Sequence, residues 1–236
     1  MSIEGKTAVV TGASGNLGTA VTARLIDEGA RVCAVCYSEE AVGALQQELP
    51  ADADVLPIVC DVTHEAEVAS MMDRCHNELG GPEALLNLVG GYDAGSPVVD
   101  LEEASWDKMM TLNLKSAFIC SKHALRYMLP ADRGRIVSVS SKVAVDMPGK
   151  SAAYAVSKAG VVTFTRCLAQ EVKGTGVSVA AVMPSIMDTP VTRAARPNAD
   201  TSKWVTPEQV AAVLACLVSD SGGLVNGAII PIFGGV

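Results

Sequence analysis

The chain has 236 residues, 49% apolar and 19% charged, which suffices for one sizeable packed domain or two small ones. Eighteen Lys and Arg against 26 Asp and Glu give a formal charge of −8, and no basic run stands ready for the phosphates of a nucleic acid or an anionic membrane. No apolar run reaches the roughly 20 residues of a membrane span, and the opening MSIEGKTAVV is acidic and strand-like where a signal peptide is basic, so a cytoplasmic protein is expected.

The first strand candidate, TAVVTG at 7–12, runs into TGASGNLG at 11–18 and then a helical pattern over 16–29. Gly12, Gly15 and Gly18 make G-x-x-G-x-x-G between a strand and a helix. Glycine there permits a tight turn, lets backbone amides approach a pyrophosphate and lets the helix pack close to the sheet, while the helix start supplies positive charge. A nucleotide is therefore expected on this loop.

The second strand, RVCAVC at 31–36, precedes a helix at 38–49. Cys33 and Cys36 lie three apart on a strand, so they point to opposite faces and do not form a redox pair. A carboxylate after this strand would bond a ribose 2′-hydroxyl and repel a 2′-phosphate. The sequence has Tyr37 and Ser38 instead, both able to bond a 2′-phosphate, and Glu39 and Glu40 suit the start of the next helix. NADP(H) is favoured over NAD(H).

The third strand, VLPIVC at 55–60, ends in Asp61, an acceptor for the exocyclic amine of adenine or, like Thr63, a cap for the helix at 64–79. The fourth, ALLNLV at 84–89, ends in NLVGG, whose glycines allow a close backbone approach to a ligand or an ordinary turn. Helices at 103–129, 151–173 and 206–219 then separate strands GRIVSVS at 134–140, VSVAAVM at 177–183 and GAIIPIF at 227–233. Apolar strands alternating with helices predict one α/β domain over 1–236, a doubly wound Rossmann-type fold with a seven-stranded parallel sheet and helices on both faces. The stretch 193–204 lacks a clear period and reads as a loop near the site. The seven cysteines read as reduced core residues, and His64, His76 and His123 show no ligand spacing, so no metal is expected.

The segment SSKVAVDMPGKSAAYAVSK, 140–158, carries the chemistry. Tyr154 and Lys158 lie four apart, on one helix face. A tyrosine near pKa 10 is a poor base at neutral pH, and a neighbouring ammonium lowers that value. Such a pair exchanges a proton with an oxygen whose carbon exchanges a hydride, and Ser141 is placed to hold the same oxygen.

Together these features resemble the short-chain dehydrogenase/reductase family over nearly the whole chain. The resemblance implies that Tyr154 is the acid/base and that Lys158 bonds the nicotinamide ribose and lowers the tyrosine pKa. Ser141 orients substrate, with Ser140 the weaker candidate. Asn113 in TLNLKSAF holds a water that links the lysine to solvent. It also implies that Gly12, Ser14, Asn16, Leu17, Asp61, Val62, Asn87, Val89 and Gly90 line the coenzyme beside Tyr37 and Ser38. In MPSIMDTP, Pro184, Ile186 and Thr189 receive the nicotinamide end. The helices near 103–129 and 151–173 resemble those that pair between subunits, which implies a homotetramer or homodimer. The chain departs from the family pattern at Asn16, at Leu88 and Val89, and at Ser185, none of them a catalytic position.

The expected reaction is hydride transfer between NAD(P)(H) and a carbonyl or secondary alcohol, a 3-oxoacyl compound among the options. A weaker resemblance to dihydropteridine reductases rests on the glycine loop, the double glycine and DTPVTRAARPNADTSKW at 188–204. Against it stand Ser141 and the missing carboxylate after the second strand. A nonenzymatic nucleotide sensor is the third option, opposed by the presence of Asn113, Ser141, Tyr154 and Lys158 together. The open look of the loop at 191–206, with Trp204 its one aromatic, suggests an accessible substrate site.

Overall fold

The computed structural model describes residues 2–236. Its strands are β1 Thr7–Thr11, β2 Arg31–Cys36, β3 Val55–Val59, β4 Ala84–Asn87, β5 Gly134–Val139, β6 Val177–Pro184 and β7 Ile229–Ile232. They form one seven-stranded sheet in the order β3-β2-β1-β4-β5-β6-β7, with every neighbouring pair parallel. The order reverses between β1 and β4, and a crevice opens there at the carboxyl ends of the strands.

The helices are α1 Asn16–Asp27, α2 Glu39–Glu48, α3 Glu65–Leu79, α4 Glu103–Met109, α5 Ser116–Met128, α6 Val143–Asp146, α7 Ala152–Glu171, α8 Pro190–Ala195 and α9 Pro207–Val218. Two cores, one on each face, hold the layers together. Val10, Leu17, Val21, Leu25 and Leu214 belong to one, and Val9, Met71, Met72, Ile119 and Met128 to the other. Consecutive strand residues Val9 and Val10 are both fully buried in opposite cores, because strand side chains alternate and this sheet is covered twice. Cys33 and Cys36 are divided between the cores in the same way, as their spacing predicts.

The structure corrects several boundaries. β4 stops at Asn87, two residues before the predicted end, because the Thr11 hydroxyl takes up the Leu88 amide at 3.1 Å. The predicted helix at 103–129 is broken by a π turn over Met110–Lys115, centred near Asn113. The stretch 193–204 contains the end of α8 and a 3₁₀ turn over Thr201–Lys203, and Trp204 is 8% exposed, a core residue rather than the aromatic of an open site. Cys167 and Cys216 are exposed, so only the other five cysteines are core residues.

Candidate active site

The glycine loop works by close approach. Gly12 has φ +68°, and a Cβ there would stand 3.2 Å from the Val89 side chain. In α1, a Cβ on Gly18 would lie 2.0 Å from the Gly12 carbonyl oxygen and 2.8 Å from the Ala13 backbone. Both obstacles are main chain and cannot swing aside. Gly18→Ala is expected to lower coenzyme affinity more than tenfold and stability by about 2 kcal/mol, although alanine is the better helix former. Fluorescence titration and denaturant unfolding measure the two effects, and a variant as stable as the parent would contradict the close packing.

α1 begins after Gly15 with no side-chain cap and no acidic residue in its first turn, so its free amides and positive end face the crevice. The cleft here measures about 620 Å³. Gly12, Ser14, Tyr37, Asp61, Val62, Val89 and Gly90 line it. Asn16 and Leu17 lie at the start of α1, and Leu17 is buried in the core on that side.

The other predicted coenzyme residues are more varied. Ser38 caps α2, its oxygen accepting from the Ala41 amide at 3.2 Å, which leaves the hydroxyl proton free. Asp61 does not cap α3. Its carboxylate takes the Thr63 amide and hydroxyl at 2.9 and 2.7 Å in a local turn. Burial pulls the Asp61 pKa upward, but these bonds and His64 outweigh it and hold the carboxyl below its usual range. Asn87 turns its side chain away from the cleft, donating to Ser121 and Ser138 at 3.2 Å each. Thr189 caps α8 through the Thr192 amide at 3.2 Å. Pro184 ends β6, and the Ile186 carbonyl receives the Val205 amide at 3.2 Å.

The catalytic candidates meet at the end of β5. Val143 donates its amide to the Ser141 oxygen at 3.3 Å, which leaves the serine proton free, and Ser141 acts to lower the Tyr154 pKa. Ser140 is occupied otherwise, donating to the Lys158 carbonyl at 2.8 Å and tying α7 to β5. The segment between Ser141 and Tyr154 is held in an unusual path, with Met147 at φ +46° and Lys150 at φ +62°.

Lys158 is buried and donates to the Val139 carbonyl at 2.9 Å. Desolvation pushes its pKa down to about 8. The expectation that Lys158 lowers the Tyr154 pKa is not met. Burial raises the Tyr154 pKa, the Ser141 hydroxyl opposes that rise, and Tyr92 adds to it. The lysine ammonium is aimed at a backbone carbonyl.

Asn113 is buried in the π turn. Its side chain pairs twice with the Gly91 backbone, accepting from the amide at 2.8 Å and donating to the carbonyl at 3.2 Å, and also donates to Ser157 at 3.0 Å. A Cβ on Gly90 would come within 2.7 Å of the Asn113 oxygen and 3.0 Å of the Lys158 nitrogen. Glycine is required there so that Asn113 and Lys158 can approach the same point. A π turn at a functional residue re-aims its side chain at the cost of helix regularity.

A family profile described as short chain dehydrogenase matches residues 6–200. This chain belongs to that family. A cis-4-hydroxycyclohexanecarboxylate dehydrogenase of Sinomonas cyclohexanicum is 35% identical over 240 residues, covering 98% of this chain and 96% of that protein. A 3-oxoacyl-(acyl-carrier-protein) reductase of Thermotoga maritima is 34% identical, covering 100% of this chain and 99% of the relative. The crystal structure of levodione reductase superposes with a TM-score of 0.92 at 27% identity, over 98% of this chain and 97% of the other.

Like other short-chain dehydrogenases, the protein is a nicotinamide-dependent oxidoreductase acting between CH–OH and C=O. Its cleft fits such a coenzyme: the uncapped α1 terminus suits a pyrophosphate, and Gly12, Ser14, Val89 and Gly90 line the space beside it. Among the described residues no helix is long and apolar enough to cross a membrane.

Sequence reasoning missed Lys108, Thr111 and Leu112, which also line the cleft. The signal of Thr111 and Leu112 was faint, because the π turn shifts which helix face they occupy. It also missed Tyr92, whose ring stands edge-on to Tyr154 with centroids 4.9 Å apart. An aromatic directly after a double glycine was the available clue.

Proposed function

We propose that the chain is a single-domain carbonyl reductase and alcohol dehydrogenase in which Tyr154 gives a proton to, or takes one from, the substrate oxygen. The observation that carries this reading is that Ser141 lies close enough to Tyr154 to act on its pKa, with Lys158 buried one helical turn on. Ser141 holds the carbonyl oxygen and stabilises charge that develops on it. Lys158 orients the nicotinamide ribose, and Asn113 holds a water that returns protons toward Lys158 and Tyr154. The bound coenzyme supplies or accepts the hydride. The relatives reported above act, by their names, on a hydroxycyclohexane carboxylate, a 3-oxoacyl compound and levodione, which supports a carbonyl or secondary alcohol as the reacting group.

NADP(H) is the preferred coenzyme. The free proton of Ser38, the amides at the start of α2 and the absence of a carboxylate at 37 and 38 support it. Gly12, Ser14, Asn16, Leu17, Tyr37, Asp61, Val62, Val89, Gly90, Pro184, Ile186 and Thr189 complete the coenzyme site, and Asn87 contributes by fixing the β4 end.

The protein works in the cytoplasm as a homotetramer or a homodimer. An apolar groove over the outer faces of α5 and α7, lined by Leu114, Phe118, Val156 and Phe164, supports pairing of these helices with a second copy.

Following NADPH and NADH oxidation with a panel of carbonyl compounds tests the reading. Ser141→Ala is expected to lower kcat/KM by 10²- to 10³-fold, roughly the loss of one oxyanion donor. Turnover indifferent to Ser141 would overturn its role, and NADH as the faster coenzyme would overturn the preference. Turnover of a quinonoid dihydropterin alone would replace the carbonyl reading.

A further inference from the structure

Tyr92 touches the catalytic phenol and is still mostly uncovered. Its ring meets that of Tyr154 at 75°, yet 66% of the residue is exposed. Edge-on packing of this kind uses one part of a ring and leaves the rest of its apolar surface available. The position is fixed by backbone on both sides. Gly91 is clamped by both bonds to the Asn113 amide, and the Gly95 amide donates to the Lys150 carbonyl at 2.7 Å. The first of these anchors is a catalytic candidate, and the second lies four residues before Tyr154. Tyr92 is thus built onto the reacting centre rather than trailing from a free loop. On the segment between Ser141 and Tyr154, Val145 and Met147 also expose apolar side chains.

We propose that Tyr92 is a specificity residue: its open ring surface packs on a ring-bearing ketone while Tyr154 protonates the carbonyl oxygen, so that cyclic and aryl ketones are selected over open-chain ones. This rests on the carbonyl reading above. The site then recognises the body of its substrate by an aromatic surface set beside the acid. An acyl chain gains less from that surface, because it presents no flat or chair-like face to the ring.

The experiment compares cyclohexanone with 2-hexanone, two six-carbon ketones, at saturating coenzyme. The parent, Tyr92→Ala and Tyr92→Phe are measured for KM, kcat and the pH profile of kcat. In Tyr92→Ala the ratio of kcat/KM for cyclohexanone to that for 2-hexanone should fall roughly tenfold, mainly through KM. Tyr92→Phe, which keeps the ring, should restore the ratio. An unchanged ratio, with both substrates slowed equally and the pH profile shifted, would mean that Tyr92 only props Tyr154, and the inference would be overturned. If the parent reduces neither ketone, the carbonyl panel above tests the carbonyl reading separately, and ligand binding decides the role of Tyr92. Saturation-transfer NMR on the coenzyme-loaded protein should show cyclohexanone preferred by the parent but not by Tyr92→Ala; equal binding in both proteins would overturn it.

Discussion

Tyr154→Phe should reduce kcat/KM by roughly 10³-fold, within the range that a positioned general acid contributes. The substitution removes one oxygen and keeps the ring that packs against Tyr92, so the fold and the coenzyme affinity should hold. The pH dependence of the parent follows from the direction of the Tyr154 shift. Burial raises the phenol above its ordinary value of 10.0, so at neutral pH it is protonated and ready to act as an acid. Carbonyl reduction should therefore be flat around neutrality and fall only at alkaline pH. Alcohol oxidation needs the phenolate and should climb with pH over the same alkaline range. Ser141→Ala removes the hydroxyl that favours the phenolate, so its oxidation profile should move further toward high pH. Stopped-flow single turnovers in both directions check this. A Phe variant that kept a tenth of the activity would remove Tyr154 from the mechanism.

Lys158→Met is the second large effect, and it separates activity from stability. Activity should fall by at least 10²-fold, because the role proposed above for Lys158, orienting the ribose, is lost. Stability at pH 7 should rise. The folded pKa is about 8 against an ordinary value of 10.5, so the folded state disfavours the ammonium. Below pH 8 both folded and unfolded chains are protonated, and folding bears the full cost of drying that charge. Between about pH 8 and 10.5 the folded protein has shed the proton while the unfolded chain keeps it, so parental stability climbs with pH. The shift corresponds to about 3 kcal/mol. Loss of the bond to the Val139 carbonyl returns about 1 kcal/mol, leaving a net gain near 2 kcal/mol at pH 7. In a chain of this size that raises Tm by about 4–8 °C. The advantage should vanish above pH 10.5. A Met variant less stable than the parent at pH 7 would mean that Lys158 is held as a well-compensated charge.

The two predictions share a cause that sequence spacing does not reveal. A Tyr-x-x-x-Lys pair on one helix face invites the inference that the ammonium activates the phenol. The geometry is right, but the environment decides the sign. Lys158 is dry and its ammonium is spent on the Val139 carbonyl at the end of β5, and burial and Ser141 act on Tyr154 instead. Burial is a property of everything packed around a residue, and four-residue spacing carries no record of it.

The fold was legible because its signals are local and repeated. Apolar strands alternating with amphipathic helices admit few arrangements other than a doubly wound parallel sheet, and all seven strands lie where their runs stand. The loop over Gly12, Gly15 and Gly18 was legible because only glycine tolerates such approaches of main chain to main chain. What the sequence determined by itself, then, was the layer order, the crevice and the residue types brought to it. The tertiary structure alone decided the rest. It ended β4 early through the Thr11 hydroxyl, turned Asn87 away from the cleft, re-aimed Asn113 with a π turn, buried Trp204 and set Tyr92 against Tyr154. Each of these depends on one side chain meeting a partner far along the chain, and no periodicity in a single stretch encodes such a meeting.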